Sequence, residues 1–203
     1  MERNRNSAYP PGRVKIVDAV TSLLSEKDFN SITTAEIART AGVTEGLIYK
    51  YFKDKRDLLY QVLREYYDSY LARLERDLAA VEGPLERLRF IIHSTLAIYD
   101  SNRVFARILL LEVRNSTDFF QSEAYVLVKR FANEFILDTL VDGVREGEIR
   151  SDLDAGTMRL AVMGALEHAC LAGIIFNREI DPSVITEKIC TILFGGIAAR
   201  ESR

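Results

Sequence analysis

The chain has 203 residues, of which 48% are hydrophobic, and it carries a formal net charge of −3. This length allows one large domain or two modest ones with ample core, so the chain is not too small to fold by itself. A net negative charge usually argues against nucleic acid as a partner. The charge is uneven, however, because residues 1–55 sum to +2 and residues 56–203 sum to −5. Nucleic acid is therefore not excluded for the basic amino-terminal part.

The sequence shows neither a targeting segment nor a metal motif. Residues 1–6 lack the apolar segment of a secretory signal, and no uninterrupted apolar stretch approaches the length of a membrane span. Cys170 and Cys190 lie in apolar segments without His or Cys neighbours at ligand spacing, which favours buried thiols over a disulfide or a metal site. We expect a cytoplasmic protein with no membrane partner, no metal and no cofactor.

Residues 1–12 are predicted to form a flexible basic leader, because Pro10 and Pro11 hinder helix formation. The leader is either a solvated tail or an arm that reaches phosphates or a minor groove. The first helix is predicted from Arg13 to Lys27. The basic residues in or beside the leader are Arg3, Arg5, Arg13 and Lys15. The inward stripe of the helix comprises Ile16, Ala19, Val20, Leu23 and Leu24, and Phe29 with Ile32 closes a small core.

Residues 33–55 predict two short helices joined by a tight turn. Thr33 and Glu36 have the spacing of a reciprocal cap at the start of the first of these helices. Gly42 supplies the positive φ that a helix end requires, and Thr44 caps the next helix. The apolar residues Leu47, Ile48 and Phe52 recur at helical spacing, which leaves a polar, aromatic and basic outer face. A helix-turn-helix with such a face fits a major groove of DNA.

The run Ile-Ala-x-x-Ala-Gly-Val-Thr-x-Gly-x-Ile-Tyr-x-Tyr-Phe-x-x-Lys occupies residues 37–55, and Asp54 to Leu59 open the next helix. These residues resemble the amino-terminal domain of the tetracycline-repressor (TetR) family of transcriptional regulators, and the resemblance covers residues 11–71. It implies an all-α fold, with a three-helix DNA-binding domain over residues 13–59 followed by a larger helical domain for ligand binding and dimerisation.

The resemblance also implies which side chains meet DNA. The residues at groove-facing positions are Thr34, Thr44, Glu45, Gly46, Leu47, Tyr49 and Lys50, and those that approach phosphates are Tyr49, Tyr51, Lys53 and Lys55. We expect Lys55 above all to hold a phosphate, a contact that positions the protein without selecting sequence. Glu45 either accepts from a cytosine amino group or stabilises the amino end of its helix.

The fourth helix is predicted from the cap residue Asp54 to about Val81, long enough to connect two domains, and Gly83 with Pro84 marks the break after it. Residues 60–203 form the predicted effector-binding and dimerisation domain. Its helices are expected over Leu85 to Asp100, Arg103 to Asn115, Asp118 to Glu146, Asp154 to Asn177 and Pro182 to Arg200.

The last two predicted helices carry enough apolar surface for a four-helix interface with a second copy of the chain. Small residues beside that surface allow close approach of the helices. The predicted interface residues are Leu160, Gly164, Leu171, Ile175, Ile189, Ile192, Leu193 and Ile197. The alternative is that these residues belong to the core of a single chain.

The helices after Pro84 also mix bulky apolar residues with polar ones, which suits either an apolar cavity or an ordinary core. The candidate ligand-binding residues are Ile91, Thr95, Tyr99, Arg103, Arg107, Arg114, Phe131, Phe135, Glu167 and His168. His168 is alternatively a hydrogen-bonded core residue or an interface residue. Residues 110–116 and 146–149 are similar to segments of the fatty-acid-degradation (FadR-type) subgroup. That similarity implies an acyl-CoA effector whose phosphates meet arginines; a drug-like aromatic ligand is the alternative.

These observations predict a sequence-specific DNA-binding regulator rather than an enzyme. The sequence shows no Gly-rich phosphate loop, no metal-ligand cluster and no nucleophile elbow, and its two histidines leave few general bases, so we assign no catalytic residue. The expected partners are double-stranded operator DNA, a second copy of the chain and a small effector. A repressor released by its effector is expected, although the sequence leaves the sign of the response open. A helical scaffold without DNA binding is the remaining alternative.

Overall fold

The first compact unit of the chain ends at Leu63 in a computed structural model that describes residues 9–197. It contains helices α1 (Pro11–Glu26), α2 (Thr34–Ala41) and α3 (Glu45–Tyr51), a 3₁₀ turn (Phe29–Ser31) and the first part of helix α4 (Lys55–Leu78). The apolar positions of these helices meet in one core, whose fully buried members include Ile16, Val20, Leu24, Phe29, Ile32, Ile37, Ile48, Phe52 and Leu58. The predicted stripe of the first helix is therefore confirmed.

Helix α1 begins two residues earlier than predicted, because Pro11 occupies its first turn, where a missing N–H costs nothing. Arg13, which the sequence grouped with the basic residues of the leader, belongs instead to the interior of the first unit. Its side chain is buried, stacks 3.9 Å from the Tyr9 ring centre and donates a hydrogen bond to Gln61 over 3.1 Å. Arg3 and Arg5 lie outside the described residues.

The turn between α2 and α3 has the predicted local chemistry. The Thr33 side chain accepts a hydrogen bond from the Glu36 N–H over 3.1 Å, and Gly42 has φ +64°. The reciprocal half of the cap is absent among the described residues, since Glu36 accepts from Lys27 Nζ over 2.6 Å. Thr44 precedes α3 without a side-chain capping bond in the described part of the chain.

Helix α4 begins as predicted after Asp54, whose carboxylate accepts a hydrogen bond from the Asp57 N–H over 2.8 Å. The Asp57 carboxylate in turn accepts from the Lys53 N–H over 2.8 Å and from the Gln61 side chain over 3.0 Å. These bonds satisfy backbone donors at the helix start. The helix ends at Leu78, earlier than the predicted end at Val81.

The second compact unit begins at Arg64, inside α4. The predicted break is confirmed, because Gly83 has φ +79° and Pro84 occupies the first turn of the next helix. The helices that follow are α5 (Pro84–Ser101), α6 (Arg103–Arg107), α7 (Glu123–Arg130), α8 (Asp138–Glu146), α9 (Ala155–Ile175) and α10 (Pro182–Ile197). The all-α fold class is therefore confirmed; the predicted end of the last helix at Arg200 lies outside the described residues.

Two predicted helices of this unit change their hydrogen bonding partway. Helix α6 continues into a π-helical turn (Ile108–Glu112), in which the Val113 N–H bonds the Ile108 carbonyl over 3.2 Å, and α7 continues into another (Phe131–Leu137). The expected helix from Asp118 also starts later, because a 3₁₀ turn (Thr117–Gln121) precedes α7. Apolar spacing cannot separate an i+4 turn from an i+5 turn when neighbouring residues are all apolar.

Helix α9 bears on the expectation that the chain has no membrane span. By length and composition alone it is apolar enough to cross a membrane, with 33% of its most apolar stretch buried. The core helix of a soluble protein meets the same criterion, so this is weak evidence for a span. The surface that α9 leaves exposed includes Leu160 and Ile175.

Candidate nucleic-acid interface and ligand site

Helix α3 presents an exposed face built from Gly46, Tyr49 and Lys50, which follow i, i+3 and i+4 spacing. Tyr49 has 56% of its surface exposed, unusual for a large aromatic side chain. The inward residue Ile48 is fully buried and ties the helix to the core of the first unit. Helix α3 therefore exposes an aromatic ring, a cation and, at Gly46, backbone that no side chain covers, while the buried Ile48 holds the helix in place.

Gly46 lies in open space. A Cβ atom added there would find only one heavy atom within 4.0 Å outside its immediate neighbours, the hydroxyl oxygen of Thr44. Nothing in the fold of the first unit thus requires glycine at this position, where the backbone is helical. What glycine provides is room for another surface to approach the helix backbone closely.

Glu45 is tied to the start of α2. Its carboxylate accepts a hydrogen bond from the Thr34 hydroxyl over 3.0 Å, and it lies in the first turn of α3, where a negative charge is favourable. This contact supports the helix-end role that the sequence left open for Glu45. It also gives Thr34 a partner within the chain.

Leu47 and Tyr51 are half-buried because they pack against the start of α1. A Cβ atom at Gly12 would lie 2.9 Å from Leu47 Cδ2 and 3.6 Å from a ring carbon of Tyr51. Gly12 therefore allows α1 to approach α3 closely. The sequence reading missed this contact, since Gly12 falls within the predicted leader.

Lys55 has partners that the sequence did not suggest. Its ammonium donates hydrogen bonds to the carbonyl oxygens of Phe29 over 2.9 Å and Ile32 over 2.7 Å, and it lies 4.3 Å from the Phe29 ring centre. The ammonium thus joins α4 to the 3₁₀ turn. The role of Lys55 in holding a phosphate remains a prediction that must compete with these bonds. Lys53, in contrast, has an exposed side chain.

The apolar candidates for ligand binding lie inside the second unit. They are buried in or beside a cluster of aromatic rings in which the Tyr70 and Phe131 centroids lie 6.1 Å apart and the Tyr99 and Phe105 centroids 6.0 Å apart. The buried candidates are Ile91, Thr95, Tyr99, Phe131 and Phe135. Thr95 has structural partners, because its hydroxyl bonds Tyr70 over 2.8 Å and donates to the Ile91 carbonyl over 2.7 Å.

Each of the three candidate arginines is paired with a different carboxylate. Arg103 contacts Asp100 over 2.6 Å, and Arg107 contacts Glu112 over 3.4 Å. Arg114 forms two hydrogen bonds with Glu167, of 2.7 and 2.5 Å. The hydrogen bonds that Arg114 donates to the Glu167 carboxylate raise the pKa of Arg114. That Arg103, Arg107 or Arg114 meets the phosphates of an effector remains a prediction, and each of these side chains would have to leave its carboxylate partner to do so.

Arg114, Glu167 and His168 nevertheless line one cleft of about 280 Å³ in the second unit. Leu110, at the π-helical turn after α6, forms part of its wall. His168 is exposed there, which contradicts the reading of a buried core histidine. The remaining lining residues, Gly164 and Leu171, belong to the predicted dimer surface.

The predicted dimer surface is largely unburied in the single chain. The exposed fractions are 64% for Leu160, 49% for Ile175 and 74% for Ile192. Gly164 is exposed as well, and Leu171 with Leu193 is half-buried. Ile189 and Ile197 are buried within the chain, so their assignment to an exposed interface is wrong. Helix α10 packs along α5, and this packing turns some of its apolar residues inward.

The cysteines are buried as expected, and burial raises the pKa of each thiol to about 11. Such thiols stay protonated near neutral pH and are poor nucleophiles. Over residues 9–197, no group of three His, Cys, Asp or Glu side chains is placed to hold a metal ion.

A small helix-turn-helix unit with an exposed recognition face, followed by a larger helical unit with a cleft, defines a ligand-responsive type of regulator. Residues 16–62 match the family model described as bacterial regulatory proteins of the tetR family. Residues 63–196 match the model for the carboxy-terminal region of the YsiA-like protein. The chain belongs to the TetR family and is a DNA-binding transcriptional regulator, which confirms the family predicted from the sequence.

Known proteins resemble the chain along most of its length. The fatty acid metabolism regulator protein of Bacillus subtilis (strain 168) is 26% identical over 188 residues, which are 92% of this chain and 96% of that protein. The crystal structure of FadR from Bacillus subtilis in complex with stearoyl-CoA has a TM-score of 0.82 at 24% identity, covering 91% of this chain and 98% of that one. AibR in complex with isovaleryl coenzyme A and operator DNA has a TM-score of 0.73 at 16% identity, covering 90% and 98%. These structures share its fold.

Proposed function

We propose that the protein is a repressor that binds a palindromic operator as a homodimer and leaves it when a long-chain acyl-CoA binds to the second unit. The exposed face of α3, with Gly46 open and Tyr49 and Lys50 outward, is the observation that carries this proposal. A short helix with such a face fits the major groove, and a single copy contacts too few base pairs for selective binding.

The apolar surface of α9 and α10 supports the homodimer. Leu160, Ile175 and Ile192 are large apolar residues that water would otherwise surround, and Gly164 between them allows close helix packing. A second copy of the same surface removes all of these side chains from water at once, because a two-fold interface pairs a surface with itself. Two recognition helices then read two half-sites about one helical turn of DNA apart.

The composition of the second unit supports an acyl-CoA effector. Its interior is aromatic and apolar, which suits an acyl chain, while Arg114 in the cleft suits a phosphate of the head group once Glu167 releases it. The relatives add weight, because one is named a fatty acid metabolism regulator and one structure holds stearoyl-CoA. Helix α4 continues from the first unit into the second, so a change in one can reach the other.

A gel-shift titration tests this function, using the DNA upstream of the protein's own gene. We expect binding that weakens steeply with salt, since the protein displaces counterions from phosphates. The double variant Tyr49→Ala/Lys50→Ala should bind this DNA about 100-fold more weakly, at about 1–3 kcal/mol per lost contact. Equal binding by the variant and the unchanged protein would exclude the α3 face as the reader.

Effector release is tested on the preformed DNA complex. Palmitoyl-CoA should free the DNA, while coenzyme A alone and a planar aromatic drug should leave it bound. Release by the drug alone would instead support a repressor of the multidrug kind. We place the protein in the cytoplasm, where its DNA lies, and assign it no enzymatic activity, in keeping with the regulators it resembles.

A further inference from the structure

A line of polar contacts in the first unit extends from the start of α1 to the turn between α3 and α4. The buried Arg13 guanidinium donates a hydrogen bond to Gln61 Oε1 over 3.1 Å. Gln61 Nε2 donates to the Asp57 carboxylate over 3.0 Å, and the same carboxylate oxygen accepts from the Lys53 N–H over 2.8 Å. We call Arg13, Gln61 and Asp57 the Arg13 relay. It joins residues up to 48 positions apart in the sequence.

Gln61 has the kind of side chain that its two neighbours require. A guanidinium is only a donor and an ionised carboxylate is only an acceptor, so the group between them must accept at one end and donate at the other. A neutral amide meets both requirements. A glutamate at this position would repel Asp57, and a lysine would repel Arg13. Arg13 therefore determines which end of the Gln61 amide faces Asp57.

Arg13 is itself held in place by aromatic rings. Its guanidinium lies 3.9 Å from the Tyr9 ring centre and 5.3 Å from the Phe52 ring centre. Phe52 is buried at the end of α3. Cation–π contacts restrict a long arginine side chain, and burial makes its hydrogen bond to Gln61 stronger than the same bond in water. The relay is therefore anchored where the recognition helix ends.

The other end of the relay holds the backbone at Lys53. The Lys53 N–H bonds a carboxylate whose direction Gln61 sets, and the Asp57 N–H bonds the Asp54 carboxylate over 2.8 Å. The peptide before Lys53 is thus fixed relative to α4, while the Lys53 side chain is exposed. A contact with a phosphate requires the cation in a defined place, because such contacts set the register of a protein on DNA.

We propose that Arg13 and Gln61 are positioning residues for DNA binding: through Asp57 they hold the Lys53 peptide so that the Lys53 ammonium meets a phosphate. Neither Arg13 nor Gln61 touches DNA in this arrangement. The inference rests on the predicted phosphate contact of Lys53 and adds the residues that direct that contact.

Fluorescence anisotropy tests the proposal with two duplexes, one from the DNA upstream of the protein's own gene and an unrelated one of equal length. Lys53→Met should weaken binding of both duplexes by the same factor, because a phosphate contact carries no sequence information. The slope of log affinity against log salt should become shallower by about 0.9 for each bound copy of the chain. Gln61→Met, which removes both amide bonds, should weaken binding of both duplexes by about fivefold.

The decisive comparison adds Gln61→Met to Lys53→Met. If Gln61 acts through Lys53, the second substitution should lower the affinity no further, whereas the two losses add if Gln61 only supports the fold. Full additivity would overturn the proposal. Gln121→Met, at an exposed glutamine of the second unit, is the matched control and should leave both affinities unchanged.

A charge exchange tests the requirement for an amide. Gln61→Lys should weaken DNA binding despite its added positive charge, because two cations then face each other. Arg13→Met/Gln61→Lys should recover the affinity, because the new ammonium can bond Asp57 four residues earlier on the same helix. No recovery in a double variant with an unchanged melting temperature would overturn the proposal. If the melting temperature falls, the comparison with Lys53→Met decides alone.

The possible failures are distinguishable. If Lys53→Met changes neither the affinities nor the salt slope, the predicted phosphate contact is wrong and the relay proposal falls with it. If Lys53→Met acts as expected but Gln61→Met does not, the contact stands and the relay proposal is wrong. If the unchanged protein binds both duplexes equally, the proposed operator is wrong, and the comparison of Gln61→Met with Lys53→Met still decides the relay.

Discussion

The two units of this protein keep their candidate functional residues in opposite environments. In the first unit, Tyr49, Lys50 and Lys53 are exposed on a support whose helix ends are capped by Thr33 and Asp54. In the second unit, most of the candidates are buried among aromatic rings or paired with a carboxylate. The first unit therefore presents an exposed surface, whereas most candidates of the second unit already have partners within the chain.

This difference bears on how the protein responds to an effector. A rigid DNA-reading surface releases DNA when the surface as a whole is moved, because its side chains need no rearrangement to make their contacts. A packed interior that opens for a ligand changes its helix packing, and such a change is a shift between two states with different ligand affinity. The π-helical turns after α6 and α7 lie in that second unit, where departures from regular helix are often functional.

The largest expected effect comes from the unburied surface of the second unit. The double variant Leu160→Arg/Ile192→Arg places two cations on the proposed dimer surface, and we expect monomers by sedimentation. Operator affinity should fall by about 10²–10⁴-fold, because one recognition helix loses the contribution of the linked second one. The control is Val126→Arg on α7, where the native residue is also 55% exposed. A variant that remains a dimer would exclude this surface as the interface.

The next largest effect distinguishes the roles of Lys55 and Lys53 in the first unit. Lys55→Met removes the cation that bonds the Phe29 and Ile32 carbonyls, and the free energy of unfolding should fall by about 2–3 kcal/mol. Lys53→Met, on an exposed side chain, should change stability by less than about 0.5 kcal/mol while lowering the salt dependence of DNA binding. Denaturant titration measures the first quantity. If Lys55→Met leaves the free energy of unfolding unchanged, the two carbonyl bonds do not stabilise the fold, and phosphate binding is the role that remains for this lysine.

At Gly46 we expect a smaller change in the free energy of unfolding, with the sign opposite to that of Lys55→Met. Alanine fits the open space there and favours the helix, so Gly46→Ala should raise the free energy of unfolding by about 0.5–1 kcal/mol. The same methyl group should weaken operator binding, because it occupies the space that the DNA needs. A higher free energy of unfolding together with a lower operator affinity would show that Gly46 serves DNA binding rather than the fold of the first unit. Changes of both quantities in the same direction would contradict this role.

The smallest effect concerns acid pH. The hydrogen bond from Lys27 lowers the pKa of Glu36 below its ordinary value of about 4.3. The pair therefore stabilises the folded state above that ordinary value, and the contribution disappears as pH falls through the lowered pKa. Both side chains are partly exposed, so the change should be slight. Comparing acid unfolding of the unchanged protein with Glu36→Gln measures it, and identical profiles would show that the pair contributes nothing.

Local signals account for what was predicted well. Thr33, Gly42, Asp54 and the pair of Gly83 with Pro84 each act on neighbouring backbone, so the helix boundaries around them could be read from the sequence. The π-helical turns could not be read in this way, because runs such as residues 108–110 are apolar throughout and fit several hydrogen-bonding patterns.

By itself, the sequence determined the all-α class and the helix-turn-helix, because capping residues and apolar spacing act over a few residues, and the motif of residues 37–55 indicated the family by resemblance. Only the tertiary structure decided that Arg13 is buried, that Lys55 bonds two carbonyls and that Arg114 pairs with Glu167. These properties depend on side chains brought together from distant parts of the chain. A charge or a hydroxyl in a sequence does not show which neighbours will surround it, and those neighbours set its role.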